Sequence, residues 1–210
     1  MDSKERMDNA VPSCIAQWLL APYLEFSLRY GGKKKILLDC ACGNAYQRTF
    51  LDDRFEIVHY VDKNPPLPGY NWHAVDLETE KLPFKNKTFD VVFSFETIEH
   101  LDENHQVAFV EELMRVGKTV IIGSVSADGP NYIGNDLIFK NGMNPYHKRE
   151  FKADEWKDFF YKYSLEVFKS KRIYIYSLPE FYHLVVTDAG LEIKDGIDPK
   201  NGISNYVVLT

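Results

Sequence analysis

The chain runs Ser94-Phe95-Glu96-Thr97-Ile98-Glu99-His100, which sets two carboxylates and an imidazole in the spacing Glu-x-x-Glu-His. On a helix this spacing puts Glu96 within one turn of Glu99 and His100. Such a set can coordinate a divalent cation, or it can be a helix start whose acids the helix dipole favours. Where no cation binds, His100 or His147 is the candidate general base. The other histidines carry less weight. His105 falls on a different helix face from His100 and reads as surface, while His59, His73 and His183 sit inside element patterns and read as structural. Cys40 and Cys42 form a C-x-C pair with no second pair, a weak zinc signal.

The elements that must position these residues follow from hydrophobic spacing. Ile15, Leu19, Tyr23 and Phe26 mark one face of a helix over 11–30, bent at Pro22 and stopped by Gly31-Gly32. Short apolar runs then predict strands at Ile36-Leu37-Leu38, at Ile57 to Val61, at Trp72 to Val75 and at Phe89 to Phe95. Thr97 to Val116 has helical length, and a strand at Thr119 to Gly123 follows it. Strands alternating with helices predict an α/β fold, a mostly parallel central sheet flanked by helices. The last third offers a long loop from Ser124 to Tyr146, an amphipathic helix at Lys152 to Lys162, strands at Leu165 to Ser177 and Leu191 to Val208, and a helix around Pro179 to Ala189.

In an open parallel sheet, ligands bind beyond the carboxyl ends of the strands, where backbone amides are accessible. The informative residues stand there. Asp39-Cys40-Ala41-Cys42-Gly43-Asn44-Ala45 is a small-residue turn that lets a ligand approach the backbone. Asp62 follows the second run and can accept from both hydroxyls of a ribose; Asp76 follows the third and can accept from the amine of a base. Each acid also has a bland reading, as a helix cap, a turn residue and a surface residue respectively. A nicotinamide enzyme would show a GxGxxG fingerprint after a strand, and this chain has none.

The segment ILLDCACGNAYQRTF, followed by Asp62, Asp76 and LPFKNKTFDVVFSFETIEHL, resembles the ordered motifs of class I S-adenosylmethionine-dependent methyltransferases over about residues 36 to 125. The resemblance implies a Rossmann-like fold and S-adenosylmethionine as cofactor. It assigns cofactor contact to Asp39, Ala41, Gly43, Asp62, Lys63, Asp76, Leu77 and Phe95. Where the family usually has glycine this chain has Ala41 and Ala45, and alanine serves there if the backbone angles are ordinary.

The segment Asn144-Pro145-Tyr146-His147-Lys148-Arg149-Glu150-Phe151 is similar to the one that supplies a fourth ligand in metal-dependent members, among them the small-RNA terminal 2'-O-methyltransferases and the ubiquinone-pathway O-methyltransferases. Glu96, Glu99, His100 and His147 are then the implied ligands, a donor set suited to Mg²⁺ or Mn²⁺. A cation lowers the pKa of an alcohol, so the expected acceptor is a vicinal diol or catechol able to chelate it. The same segment is similar to small bacterial and viral O-methyltransferases of glycan assembly, which makes a sugar such as rhamnose the first expectation. Tyr132, Phe139 and Tyr146 in the long loop offer surfaces for ring stacking. A catechol or quinone precursor, the 3'-terminal ribose of RNA, and a non-catalytic partner subunit of the same fold are the alternatives.

Composition narrows the setting. With 210 residues, 45% of them hydrophobic, the chain is expected to be a single domain over 1–210, with 11–30 as a leading helix, 36–123 as the cofactor-binding half and 124–210 as substrate loop and C-terminal half. A formal net charge of -6 disfavours nucleic acid as a broad-surface partner. No apolar run approaches the roughly 20 residues that span a bilayer. Three cysteines and a polar first stretch lead to the expectation of a reduced, cytoplasmic setting without a membrane partner.

Overall fold

The computed structural model describes residues 23, 26–45, 47–64, 71–127, 146–163, 173–178, 183–187, 190–194 and 204–209. Most of the expected helix over 11–30 and the greater part of the loop from Ser124 to Tyr146, with Tyr132 and Phe139, lie outside these residues. Two compact units are present.

The first unit takes Met1–Ser94 and Arg115–Lys118. Its strands are β1 (Gly32–Cys40), β2 (Phe55–Asp62), β3 (Trp72–Ala74) and β4 (Phe89–Phe95, which ends one residue beyond the unit). All its strand pairings are parallel: β1 lies between β2 and β4, and β3 lies outside β2. Leu38 stands opposite His59 and Val92, and Tyr60 opposite Trp72. The β1–α1–β2 crossover is made by helix α1 (Arg48–Arg54). Strands buried on both faces need continuous apolar runs, and the run Leu37-Leu38 with Val91-Val92-Phe93 is almost fully buried. Phe93 packs edge-on against Tyr23 and Phe55. Parallel strands with a helical crossover make this unit Rossmann-like, and their carboxyl ends bring Cys40 and Asp62 to one edge of the sheet.

Arg115 organises the approach to β4. Arg115 donates from Nη1 to the Phe84 carbonyl at 2.7 Å and to Asn86 Oδ1 at 3.1 Å, and from Nη2 to the Leu82 carbonyl at 3.0 Å.

The second unit takes Phe95–Met114 and Thr119–Thr210. Strands β5 (Gly117–Val125), β6 (Ile173–Leu178), β7 (His183–Thr187), β8 (Gly190–Lys194) and β9 (Ser204–Leu209) pair antiparallel in the order β5-β9-β6-β7-β8. Helices α2 (Glu103–Val116) and α3 (Ala153–Tyr163) complete it, the last two residues of α2 and the first two of β5 being counted in the first unit. α3 buries Trp156, Phe159 and Phe160 around Phe151.

Two expectations are corrected here. The helix around Pro179 to Ala189 is replaced, at His183–Thr187, by strand β7. The run HLVVT is rich in β-branched residues and has strand neighbours on both sides. The helix from Thr97 to Val116 is broken: a 3₁₀ turn at Ile98–His100 precedes α2, and Leu101 between them is extended. Asp102 then accepts the amides of His105 and Gln106, which is the start of α2. Gln106 is buried and donates back to the carbonyls of Ile98 and Leu101, so the break is held by the helix that follows it. No helix among the described residues is long and apolar enough to cross a membrane.

Candidate functional site

In the first unit β1 delivers the chain into the turn at 41–47. Three residues there have left-handed backbone, Ala41 at φ +64°, Gly43 at +56° and Ala45 at +50°. The condition under which alanine replaces glycine without strain, ordinary backbone angles, is therefore not met at Ala41 and Ala45. Left-handed backbone costs an L-residue about 1 to 2 kcal/mol. The surrounding bonds hold it nonetheless: the Cys42 amide donates to Val61 at 3.0 Å, Ala45 to Cys42 at 2.9 Å and Arg48 to Ala45 at 3.0 Å. Among the described residues a Cβ placed on Gly43 would meet nothing within 4 Å, which leaves room for a ligand on this face of the turn.

The three acids play different parts. Asp62 is 2% exposed; its Oδ2 accepts the Gly43 amide and its Oδ1 the Asn64 amide, both at 3.0 Å. One carboxylate thus fastens the turn to the end of β2, and a carboxylate oxygen can accept more than one donor, a ribose hydroxyl included. Asp39 is fully buried and faces inward, accepting from Tyr23 Oη at 3.2 Å and from Gln47 Nε2. Burial pushes its carboxyl up to about 7, with a further push from the charge of Asp62, against the two hydrogen bonds. Gln47 also donates to the Cys42 carbonyl, so Asp39 acts on the turn through Gln47. Asp76 is at the surface, where its hydrogen bond from Lys63 Nζ at 2.8 Å holds its carboxyl below the usual range. Its Oδ1 accepts the Glu78 amide, starting the turn that carries half-buried Leu77. Phe95 is 6% exposed at the end of β4.

In the second unit, ligand atoms of Glu99, His100 and His147 all lie within 4.8 Å of one another. Glu99 and His100 come from the 3₁₀ turn. His147 is brought to them by backbone bonds: the Lys148 and Arg149 amides donate to the Glu99 carbonyl at 2.8 and 3.2 Å, and His100 Nδ1 donates to the Tyr146 carbonyl at 3.1 Å. Ion pairs of Lys148 with Asp102 and of Arg149 with Glu103 lie outside these bonds. The two imidazoles meet edge to face at 4.7 Å.

The electrostatics of this cluster are compatible with a bound cation. Burial, together with the neighbouring His147 ring, lowers His100 to about 3, so it is neutral and, with Nδ1 donating, carries its lone pair on Nε2. Burial and the charge of Glu96 hold the Glu99 carboxyl well above its ordinary range. Glu99 Oε2 accepts from Ser124 Oγ at 3.1 Å and the Glu96 carboxyl lies beside Glu99, whereas Oε1 is buried with no hydrogen-bond donor among the described residues. A buried carboxylate oxygen without a donor is costly, and a cation or a proton would satisfy it. The donor set therefore fits a divalent cation. Glu96, in left-handed backbone at φ +52°, acts on Glu99 through its charge but is not one of the three residues in the tight cluster.

Spacing along the chain did not reveal Gln47, Ser124 or Glu150. Gln47 and Ser124 have no distinguishing pattern in the sequence. Glu150, three residues after His147, is the one signal that was present.

Residues 38–120 match a protein family described as "Methyltransferase domain". A "Probable S-adenosylmethionine-dependent methyltransferase" of Mycolicibacterium smegmatis is 30% identical over 125 residues, covering 57% of this chain and 47% of that protein. The chain thus spans about half the length of the curated relative it matches. Among solved structures, the methyltransferase domain of bacterial CtHen1 has a TM-score of 0.63 at 19% identity, covering 93% of this chain and 98% of that one. The small RNA methyltransferase HEN1 has a TM-score of 0.64 at 13% identity, covering 88% of this chain and 25% of that one. The fold is the Rossmann-like fold of class I S-adenosylmethionine-dependent methyltransferases, and S-adenosylmethionine is the cofactor that the match supports.

Proposed function

We propose that the chain is an S-adenosylmethionine-dependent O-methyltransferase that uses a divalent cation, Mg²⁺ or Mn²⁺, to act on one hydroxyl of a vicinal diol in a sugar or glycan. The cofactor supplies an electrophilic methyl group, and a bound cation supplies Lewis-acid lowering of the acceptor's pKa. Asp62 would take the ribose hydroxyls, with Gly43 leaving room at the turn and Asp76, Leu77 and Lys63 bordering the base. Glu99, His100 and His147 would hold the cation, with Glu96 as the fourth donor. Ser124 fixes one oxygen of Glu99, and the Tyr146 carbonyl fixes the tautomer of His100.

The observation that carries this reading is the buried cluster of Glu99, His100 and His147, with a partnerless Glu99 oxygen and neutral His100 presenting Nε2. Measured turnover on a panel of sugars, with and without chelator, tests it. Activity should vanish in chelator while S-adenosylhomocysteine still binds, and should require two free neighbouring hydroxyls. Full activity in chelator would transfer the task to a histidine general base.

A second reading takes the 3'-terminal ribose of RNA as the diol. It is favoured by the likeness in fold to small RNA methyltransferase HEN1 and opposed by the net charge of -6. RNA ends in the same panel separate the two. Failure to bind S-adenosylhomocysteine by isothermal titration would favour a non-catalytic subunit.

A further inference from the structure

His147 has a partner, Glu150, that is not one of the three residues of the cluster. Its Nδ1 lies 2.6 Å from Glu150 Oε1, and both side chains are secluded, 9% and 2% exposed. A contact this short between an imidazole N–H and a carboxylate is a charge-assisted hydrogen bond. Its direction is set by chemistry, because an ionised carboxylate only accepts. His147 Nδ1 therefore donates, and in the neutral ring the lone pair falls on Nε2.

Among the described residues no wider hydrogen-bond network accounts for the burial of Glu150. Its other oxygen, Oε2, is buried without a hydrogen-bond partner among the described residues. A buried acid with half its acceptors unanswered destabilises the fold, and a glutamine or an aliphatic residue would fill the same space at less cost. What only a carboxylate side chain provides is an acceptor that cannot also donate: a glutamine could turn its NH₂ to the ring and hold either tautomer, whereas the carboxylate fixes one and makes the remote nitrogen a better donor to a cation. His100 is fixed in the same sense by a backbone carbonyl. The two imidazoles of the cluster are thus set alike, one by the main chain and the other by a side chain.

We propose that Glu150 is a positioning residue for the cation, holding His147 as the Nδ1–H tautomer so that Nε2 is the donor that joins Glu99 and His100. This rests on the proposed cation reading of the cluster.

The test compares wild type with Glu150→Gln and Glu150→Ala, both checked for folding by circular dichroism and for S-adenosylhomocysteine binding. Isothermal titration with Mn²⁺ reads affinity, and ¹⁵N-edited NMR of the histidine rings without metal reads the tautomer of His147. Wild type should take up Mn²⁺ and show His147 protonated at Nδ1. The variants should lose ten- to hundredfold in Mn²⁺ affinity, with S-adenosylhomocysteine affinity unchanged and the His147 signal moved from the single Nδ1–H form. If wild type takes up no Mn²⁺, the cation reading falls and this assignment with it. If wild type binds Mn²⁺ and the folded variants bind it equally well, or keep His147 in the Nδ1–H form, Glu150 is a packing residue and only this assignment is overturned. Should Glu150→Ala fail to fold, the near-isosteric Glu150→Gln decides alone.

Discussion

Asp39→Asn replaces a buried acid by an amide of the same shape, and the structure fixes how the consequence must vary with pH. The amide oxygen still accepts from Gln47, and its NH₂ can donate to the Tyr23 hydroxyl, which rotates to accept. The ionisable proton is what disappears. In the folded protein burial raises the Asp39 carboxyl from its ordinary 3.8 to about 7. Between those values the folded state keeps a proton that the unfolded chain has lost, so wild-type stability falls as pH rises and the loss is complete above about 7. At about 1.4 kcal/mol for each tenfold change in proton affinity, the full loss is about 4 kcal/mol. The variant does not pass through this loss. Urea denaturation of both proteins at pH 5 and pH 8 should show the advantage of Asp39→Asn growing by about 3 kcal/mol over that interval. The difference between the proteins is the quantity to read, because burial lowers His59, His73 and His100 and makes both proteins lose stability as pH falls below about 6.5. An advantage equal at the two pH values would refute the argument that desolvation dominates at Asp39.

Three further outcomes are expected. Ala41→Gly relieves left-handed backbone worth about 1 to 2 kcal/mol against about 0.5 to 1 kcal/mol of added chain entropy, so the midpoint of thermal unfolding should rise by the equivalent of about 0.5 to 1 kcal/mol; a fall would show that the methyl group is needed where it is. Asp62→Ala removes the acceptor of the Gly43 and Asn64 amides, and isothermal titration should show S-adenosylhomocysteine binding weakened by about 1.5 to 3 kcal/mol; unchanged affinity would remove Asp62 from the cofactor site. Arg115→Met leaves the carbonyls of Leu82 and Phe84 without their charged donor and should cost about 2 kcal/mol in urea denaturation, whereas a loss below about 0.5 kcal/mol would mean water replaces the guanidinium.

Where sequence and structure agree, the signal was local. Short apolar runs ending in Asp62 and Phe95 declared their strands because a parallel sheet buries both faces of a strand. Glu99 and His100 were legible as a pair because adjacent residues in one turn need no fold to bring them near. The run HLVVT was misread because a five-residue apolar stretch has no length with which to separate helix from strand, and pairing with β6 and β8 decided it. Backbone sign at Ala41 and Ala45 was equally out of reach. Alanine prefers right-handed angles, and it takes bonds that form on folding, among them those from Cys42 to Val61, from Ala45 to Cys42 and from Gly43 to Asp62, to hold the turn against that preference.

By itself the sequence determined the order of elements, the acids at strand ends and the Glu-x-x-Glu-His spacing, since periodicity and local chemistry are carried by near neighbours. Tertiary structure alone decided what those residues became. His147 stands 47 positions from His100, and the Lys148 and Arg149 amides on the Glu99 carbonyl are what close that distance. Asp39 and Asp62 are alike in the sequence, yet one faces Tyr23 and Gln47 in the interior and the other the Gly43 amide at the rim. Burial, charge proximity and tautomer are properties of packed neighbours, and which groups become neighbours is fixed only when the chain has folded.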